Sequence, residues 1–447
     1  MLVLVLASLG LRGGALWAAR DAREWNDQIT YRQRAEDLLE GKGYTGSYQS
    51  WALHKGLRQM RDLPRYRGAY QAPGYAAFIA LVMKLCGSEI LWVKLAQVLL
   101  GVATTWFVYA LGRDAVSHLA GLCAGWLYAL DPTLIAFTHY IFTETLFVFL
   151  FTAGLWLWMR PSAPRASRAV VAGICFALAA YVKSSVLYLL PLLALWLVWR
   201  ERERRAQAVR FCAIAALAWV ACVAPWTLRN IEVHGGFVLM DSSGPFNLWR
   251  GNQPNAYQRR LHNADWNMRH TEPFDAYTFA PVSEVGGSVA VDIAREMFQT
   301  DTPTDLQVME AAQKSAVRYA LDDLGWTVRR AFYKFVDLWN PTSFVMRNLE
   351  RDGYGPISPG TAAALSWACV LSYVLVWCLA LPSLWRRANT ALGVMALLLV
   401  YYYTLIHMAT FGLTRFRLPV MPILMVLAGA TLAAWWERRR QLASVQP

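Results

Sequence analysis

The sequence predicts an all-α polytopic membrane protein with about ten transmembrane helices, and three observations carry that prediction. Hydrophobic residues make up 56% of the 447, and 21 are Trp, which is too apolar for a soluble globular chain of this length. Apolar stretches of roughly 17–25 residues, the length that crosses a hydrocarbon core, recur along the chain. The formal net charge of +13 gathers in short loops between them, where the cytoplasmic side of a membrane protein collects Lys and Arg. A topological origin of the charge leaves nucleic acid without support as a partner.

The elements follow in order. The run from Met1 to about Ala19 reads as a retained helix, because further crossings follow it and no small-residue cleavage site with a soluble mature domain does. A crossing over Ile90–Leu111 comes next. A helical hairpin spans Leu119–Leu130 and about Thr138–Met159, turning at Asp131–Thr133, and a second spans Ala169–Val182 and Val186–Trp199. The remaining crossings are Phe211–Trp226, Thr361–Leu384, Thr390–His407 and Leu418–Trp436. With the N-terminus in the cytoplasm, the basic loops at Arg160–Arg168, Arg200–Arg210, the "WRR" ending at Arg387 and Glu437–Gln441 all fall on the cytoplasmic side. This parity requires the patch Ala72–Gly87 to lie at the interface, and its Pro-Gly start and modest length favour that.

Two long polar segments then face outward, Arg20–Gln71 and Thr227–Pro359. The organisation is an N-terminal transmembrane module (1–226) with its first external loop and interfacial helices (20–87), an external segment (227–359) and C-terminal helices (360–447). Cytoplasmic loops are too short to house chemistry, so the site is expected outside. An amphipathic helix is expected over Ile29–Glu40, stopped by "GKGY". Further helices are expected over Asp305–Asp322 and, at the lipid boundary, Gly325–Trp339.

Chemistry-bearing residues concentrate on that outer face. Asp27, at the membrane surface just after the first crossing and beside Trp25 and Tyr31, suits a general base acting on an acceptor hydroxyl or amine; a lone loop Asp is otherwise simply solvated. Glu144, in "FTETLF", reads as about two turns inside its helix, where a carboxylate faces a polar cavity or pairs with a neighbouring helix. Asp131 sits in a Pro turn and reads as a helix initiator. Lys183, Arg229, Arg415 and Arg417 are cations on the side where positive charge is not topologically favoured. A phosphate or pyrophosphate on a lipid substrate accounts for them through forked hydrogen bonds, with snorkelling to headgroups as the alternative. No His pair has metal-ligand spacing, His262 and His270 included, so no metal site is assigned, although a divalent ion on Asp27 or Glu144 stays open. All seven Cys lie in or at the ends of apolar segments and read as buried small hydrophobes. Trp249, Trp266 and Trp339 are expected as interfacial or sugar-stacking walls.

The stretches "NDQITYRQRAEDLLEGKGY", "QAPGYAAFIALVMKLCG", "FTETLF", "PWTLRNIEVHGGFVLMDSSGPFNLWRGNQPNA" and "GLTRFRLPVMPILMVLAG" together resemble the bacterial GT-C glycosyltransferases related to protein O-mannosyltransferases and the lipid A aminoarabinose transferase, from Asp27 to Gly429. The resemblance implies a GT-C helical bundle in the bacterial inner membrane. It also implies transfer of a sugar, with inversion, from a polyprenyl-phosphate donor to a lipid, polysaccharide or protein acceptor on the periplasmic or outer face. Asp27 matches the catalytic carboxylate, with Asn26 and Gln28 where relatives carry an acidic neighbour. Glu144 matches the Glu of a Ser-Glu-Thr motif, Lys183 stands where relatives often have Arg, and Arg415 and Arg417 match a basic pair that contacts the donor phosphate. Tyr75, from the Pro-Gly-Tyr core, joins the substrate contacts. A transporter or flippase is the rival class, but the inverted repeats and broken mid-membrane helices expected of one are not evident.

Overall fold

The computed structural model describes residues 1–24, 27–44, 70–160, 165–252, 289–301, 303–350, 353–355 and 357–445. Every regular element among them is helical. The main bundle comprises α1 (Leu2–Ala18), α4 (Ile90–Ala115), α5 (His118–Leu130), α7 (Glu144–Met159), α8 (Ala166–Val182), α9 (Leu189–Arg200), α10 (Arg205–His234), α16 (Pro359–Arg387), α17 (Ala391–Ala409) and α18 (Met421–Val445). Around one end of this bundle lie α2 (Asp27–Leu39), α3 (Gly74–Cys86), the short α6 (Pro132–Ala136), α11 (Ser243–Asn252), α12 (Val289–Phe298), α13 (Asp305–Asp322), α14 (Leu324–Trp339) and α15 (Phe344–Glu350).

Among the described residues, five segments are long and apolar enough to cross a membrane: Ile90–Ala115, Arg202–His234, Pro359–Arg387, Ala391–Ala409 and Thr414–Ala443. The other expected crossings, α1, α5, α7, α8 and α9, are shorter apolar helices, as is α3.

At the centre stands α18. From Met421 through Ala428 its apolar residues are at most 3% exposed, so this first part of the helix is covered on all sides, as apolarity all round requires, whereas Trp435, Trp436 and Leu442 farther along are exposed. Lipid tails are as apolar as Leu, so close contact rather than transfer from water holds such a helix in place. A 3₁₀ turn, Thr414–Val420, leads into it. That turn inherits the rigidity of the core and carries Arg415 and Arg417.

Local chemistry sets several helix starts. Ser117 caps α5, Ser358 caps α16 and Thr390 caps α17, each side chain accepting from a backbone N–H three residues on. Asp131 caps α6 through Leu134 N–H at 2.9 Å, with Pro132 at the first helical position, the helix-initiating role its Pro turn suggested. Thr304 and Gln307 close a capping box at the head of α13, and Asp323 caps α14.

Three expectations are corrected. The helix expected from Thr138 begins at Glu144, because residues 137–143 leave the helical path and their backbone groups are met by side chains from elsewhere. Gln97 Nε2 donates to Thr138 O and Tyr140 O, Thr145 Oγ1 donates to Phe137 O, and Ile141 N–H donates to Gln28 Oε1. The crossing expected to end at Trp226 continues through Pro225 to His234, which places Arg229 inside α10 rather than at its end. Trp249 is 1% exposed and packs against Ala312 and Ala316 of α13, inside the segment 227–359, so it forms neither an interfacial wall nor a sugar wall. Trp339 donates from Nε1 to Thr404 Oγ1 at 3.0 Å and meets Trp377 edge-on; Trp266 and Trp25 lie outside the described residues.

The helices at the polar end of the bundle match expectation more closely. Asp27 opens α2, which ends at Leu39 before Gly41 and Gly43, both at positive φ, as the "GKGY" stop required. Gly74 begins α3 where a Cβ would lie 2.7 Å from Tyr181 O, so the Pro-Gly-Tyr core lets α3 touch the end of α8 backbone to backbone. All seven Cys are free thiols, but the expected burial holds fully only at Cys369; Cys86 and Cys378 are exposed and the other four half-buried.

Candidate active site

The helix break at residues 137–143 makes Glu144 the first residue of α7. Its carboxylate thus stands beside unpaired N–H groups at a helix N-terminus, which favour negative charge. Glu144 is 2% exposed, and its Oε2 accepts from Thr143 Oγ1 at 3.2 Å. Lys183, at the C-cap of α8, reaches across so that Nζ donates to Glu144 Oε1 at 2.8 Å.

Arg415 completes the group from the 3₁₀ turn before α18. Its Nη2 donates to Asp27 Oδ2 at 3.0 Å, and its Nε lies 3.8 Å from Glu144 Oε1. The guanidinium stands 5.2 Å from the ring of Phe142 and 5.3 Å from those of Phe344 and Phe416, while Lys183 Nζ lies 5.1 Å from the Phe416 ring. Aromatic faces attract cations and screen them from water. The four side chains come from positions 27, 144, 183 and 415, two carboxylates alternating with two cations. Exposure is 25% for Asp27, 17% for Lys183 and 16% for Arg415, so Asp27 is the most open member.

Tyrosines surround this cluster. Tyr31 lies edge-on to Tyr75 at 5.0 Å, and Tyr75 donates to Gln97, the residue that holds the helix break. Burial raises the Tyr31 phenol well above its ordinary range, and the Asp27 charge adds to it. The Tyr70 phenol is raised by burial too, while Arg250 and Arg34 oppose the fields of Asp27 and Asp241 there. Both phenols stay neutral hydroxyls near neutral pH.

Asp241 was not singled out by sequence reasoning. It lies between α10 and α11, where Ser243 donates to its Oδ1 from both N–H and Oγ at 3.1 and 2.8 Å. Burial raises its carboxyl, and hydrogen bonds from Ser184, Ser243 and the Ala72 N–H pull the other way. It thereby ties together the turn beside Lys183, the approach to α3 and the start of α11. Its Asp-Ser-Ser-Gly setting looks like any loop turn, and only the fold shows what it meets.

Two of the expected cations are elsewhere. Arg417 is 4% exposed, its donors are taken by the carbonyls of Leu338, Asn340 and Thr342, and its guanidinium lies 3.7 Å from the Tyr373 ring. It fixes the end of α14 rather than turning toward Asp27. Arg229 donates to Tyr44 O at 3.2 Å and to Asn230 Oδ1 at 3.1 Å, over the Trp226 ring, and so joins α10 to the stretch that follows α2. No group of three or more His, Cys, Asp and Glu side chains suited to a metal ion occurs among the described residues; His262 and His270 lie outside them.

Near the turn that carries Lys183, α9 and α17 flank an open apolar groove of about 360 Å³ lined by Leu192, Leu398, Tyr401 and Leu405 among others. Tyr402, also on its wall, donates to Ser185 O in the turn that carries Lys183.

Residues 70–228 match the family model described as dolichyl-phosphate-mannose-protein mannosyltransferase. No curated protein sequence matches the chain. Among solved structures, the Archaeoglobus fulgidus oligosaccharyltransferase AglB in complex with an inhibitory peptide and a dolichol-phosphate is similar over 100% of this chain and 51% of its own, at 12% identity and a TM-score of 0.54. Its apo form gives the same coverage and identity at 0.53. ArnT from Cupriavidus metallidurans bound to undecaprenyl phosphate is similar over 100% of this chain and 80% of its own, at 14% identity and a TM-score of 0.42. The chain spans about half the length of the oligosaccharyltransferase it matches. The resemblance noted in the sequence is borne out: the family match over residues 70–228 and the shared architecture identify a membrane protein with the GT-C glycosyltransferase fold.

Proposed function

We propose that the protein transfers a sugar from a polyprenyl-phosphate donor to an acceptor on the outer face of a bacterial inner membrane, with inversion at the anomeric carbon. The observation that carries this reading is the alternating cluster Asp27, Arg415, Glu144, Lys183 at one end of the bundle. Asp27, the open carboxylate, accepts the proton of the acceptor's hydroxyl or amine. The acceptor's oxygen or nitrogen attacks the anomeric carbon opposite the phosphate, the sugar–phosphate bond breaks, and its electron pair leaves with the lipid phosphate. Arg415 and Lys183 stabilise that departing charge in a site screened by Phe142, Phe344 and Phe416. Glu144 holds both cations in position. Tyr75 sets the wall behind Tyr31, and Arg229 and Arg417 support the substrate region by anchoring the loops around it.

The groove between α9 and α17 supports a lipid-borne donor, since it is almost wholly apolar and one wall is bonded to the turn bearing Lys183. The basic loops near Arg160, Arg200, Arg387 and Arg438 lie at the opposite helix ends from the cluster, which supports an outward-facing site under the positive-inside rule. A cluster at helix ends also supports surface chemistry over passage through the bundle. The test is release of polyprenyl phosphate from a labelled lipid-linked sugar by the purified protein in detergent. Asp27→Asn should abolish release, and turnover of that variant at the wild-type rate would remove Asp27 as the base.

A further inference from the structure

Arg415 is shared unevenly between its two carboxylates. Glu144 lies 3.8 Å from Nε, beyond hydrogen-bonding range, and already receives Lys183 at 2.8 Å and Thr143. Asp27 takes the direct bond from Nη2 at 3.0 Å yet is the more exposed carboxylate, 25% against 2%. Two cations and two anions balance, so a phosphate entering the cluster brings negative charge into a neutral site.

One carboxylate has to yield. Withdrawing Glu144 would leave the largely buried Lys183 unpaired, and stranding one partner of a buried pair is strongly unfavourable. Withdrawing Asp27 moves a partly exposed group from the first turn of α2 toward water and leaves the guanidinium, held among three rings, facing the phosphate. A guanidinium meets phosphate in the same forked geometry it uses with carboxylate.

Resting on the donor reading above, we infer that the donor phosphate and the Asp27 carboxylate compete for Arg415, so that donor binding releases Asp27 to face the acceptor. Binding is then ordered, donor before acceptor. In the donor-free protein Asp27 is occupied by Arg415, which guards against proton abstraction when there is no sugar to transfer. Linkage makes the competition reciprocal: whatever removes the Asp27 charge strengthens phosphate binding.

Farnesyl phosphate binding to the full chain in detergent tests this. Asp27→Asn and Asp27→Ala should each bind the probe about 3- to 10-fold more tightly than wild type. Glu24→Gln is the control for bulk charge, because Glu24 is a nearby carboxylate paired with Arg32 at 3.2 Å rather than with Arg415, and its affinity should stay within about twofold of wild type. Unchanged or weaker binding by an Asp27 variant that unfolds at the wild-type temperature overturns the inference, as does equal tightening by Glu24→Gln. Should the wild type fail to bind farnesyl phosphate at all, it is the donor reading that falls, and the inference with it.

Discussion

Lys183 and Glu144 meet at 2.8 Å with the carboxylate 2% exposed, joining the end of α8 to the start of α7 across the floor of the candidate site. Glu144→Gln should therefore cost about 3 kcal/mol of stability, because it leaves the ammonium without its counter-charge. Adding Lys183→Met should restore most of that loss without restoring glycosyl transfer. Thermal unfolding in detergent and the donor-release assay together check both outcomes; independent, additive effects on stability would argue against a coupled pair.

The two arginines of "TRFR" should separate cleanly. Arg415→Lys should keep the unfolding temperature near wild type but lower turnover about 100-fold or more, since a point charge replaces a planar fork. Arg417→Met should lower stability by about 2–4 kcal/mol, because the carbonyls at the end of α14 lose their donors. Turnover per folded molecule should be less affected. Equal catalytic losses at the two positions would mean that Arg417 also serves the substrate.

Lys334 supplies a pH signature outside the membrane spans. It is 1% exposed on α14 and donates to Asn252 Oδ1 and Ala409 O. Burial, reinforced by Arg330, lowers its amine to about 7. Its folded value thus lies below the unfolded one of about 10.4, so between these pH values the folded chain binds fewer protons and stability rises with pH. The contribution is fully present above about 10.4 and is lost as pH falls through about 7. Relative to Lys334→Met, the wild type should gain unfolding temperature from pH 7 to pH 9, and a declining difference would contradict the burial argument.

Gly74→Ala tests the contact between α3 and α8. The new methyl would meet Tyr181 O at 2.7 Å and Tyr181 C at 2.8 Å, backbone atoms that cannot rotate away. The expected cost is about 1–3 kcal/mol, and the shift should disturb the Tyr75–Gln97 bond that supports the helix break. Retention of both stability and turnover would show that α3 can slide freely.

The sequence revealed the site unevenly. Asp27, Glu144, Lys183 and Arg415 were legible because a charge next to a long apolar run is conspicuous, and the structure brings these four together from distant positions. Arg417 looked equivalent to Arg415 two residues earlier, but alternate positions of a 3₁₀ turn point different ways, and one of them meets the end of α14. The break before Glu144 was hidden because residues 137–143 are apolar enough to continue a helix; the partners that release them, Gln28 and Gln97, lie far away in the chain. Asp241 escaped notice for the same reason, its meaning residing in Ser184 and Ala72 rather than in its own neighbours.

The late start of α7 also shapes the lipid around the protein. With 16 residues it rises about 24 Å, and α8, with 17, and α9, with 12, are similarly short against a bilayer interior of about 30 Å. Leaflets adapt to short helices by sinking toward them. On the outward-facing orientation proposed above, the candidate site would then lie at the bottom of a dimple in the outer leaflet, where headgroups sit low. A carrier phosphate diffusing sideways would arrive level with Lys183 and Arg415 without being lifted out of its own layer.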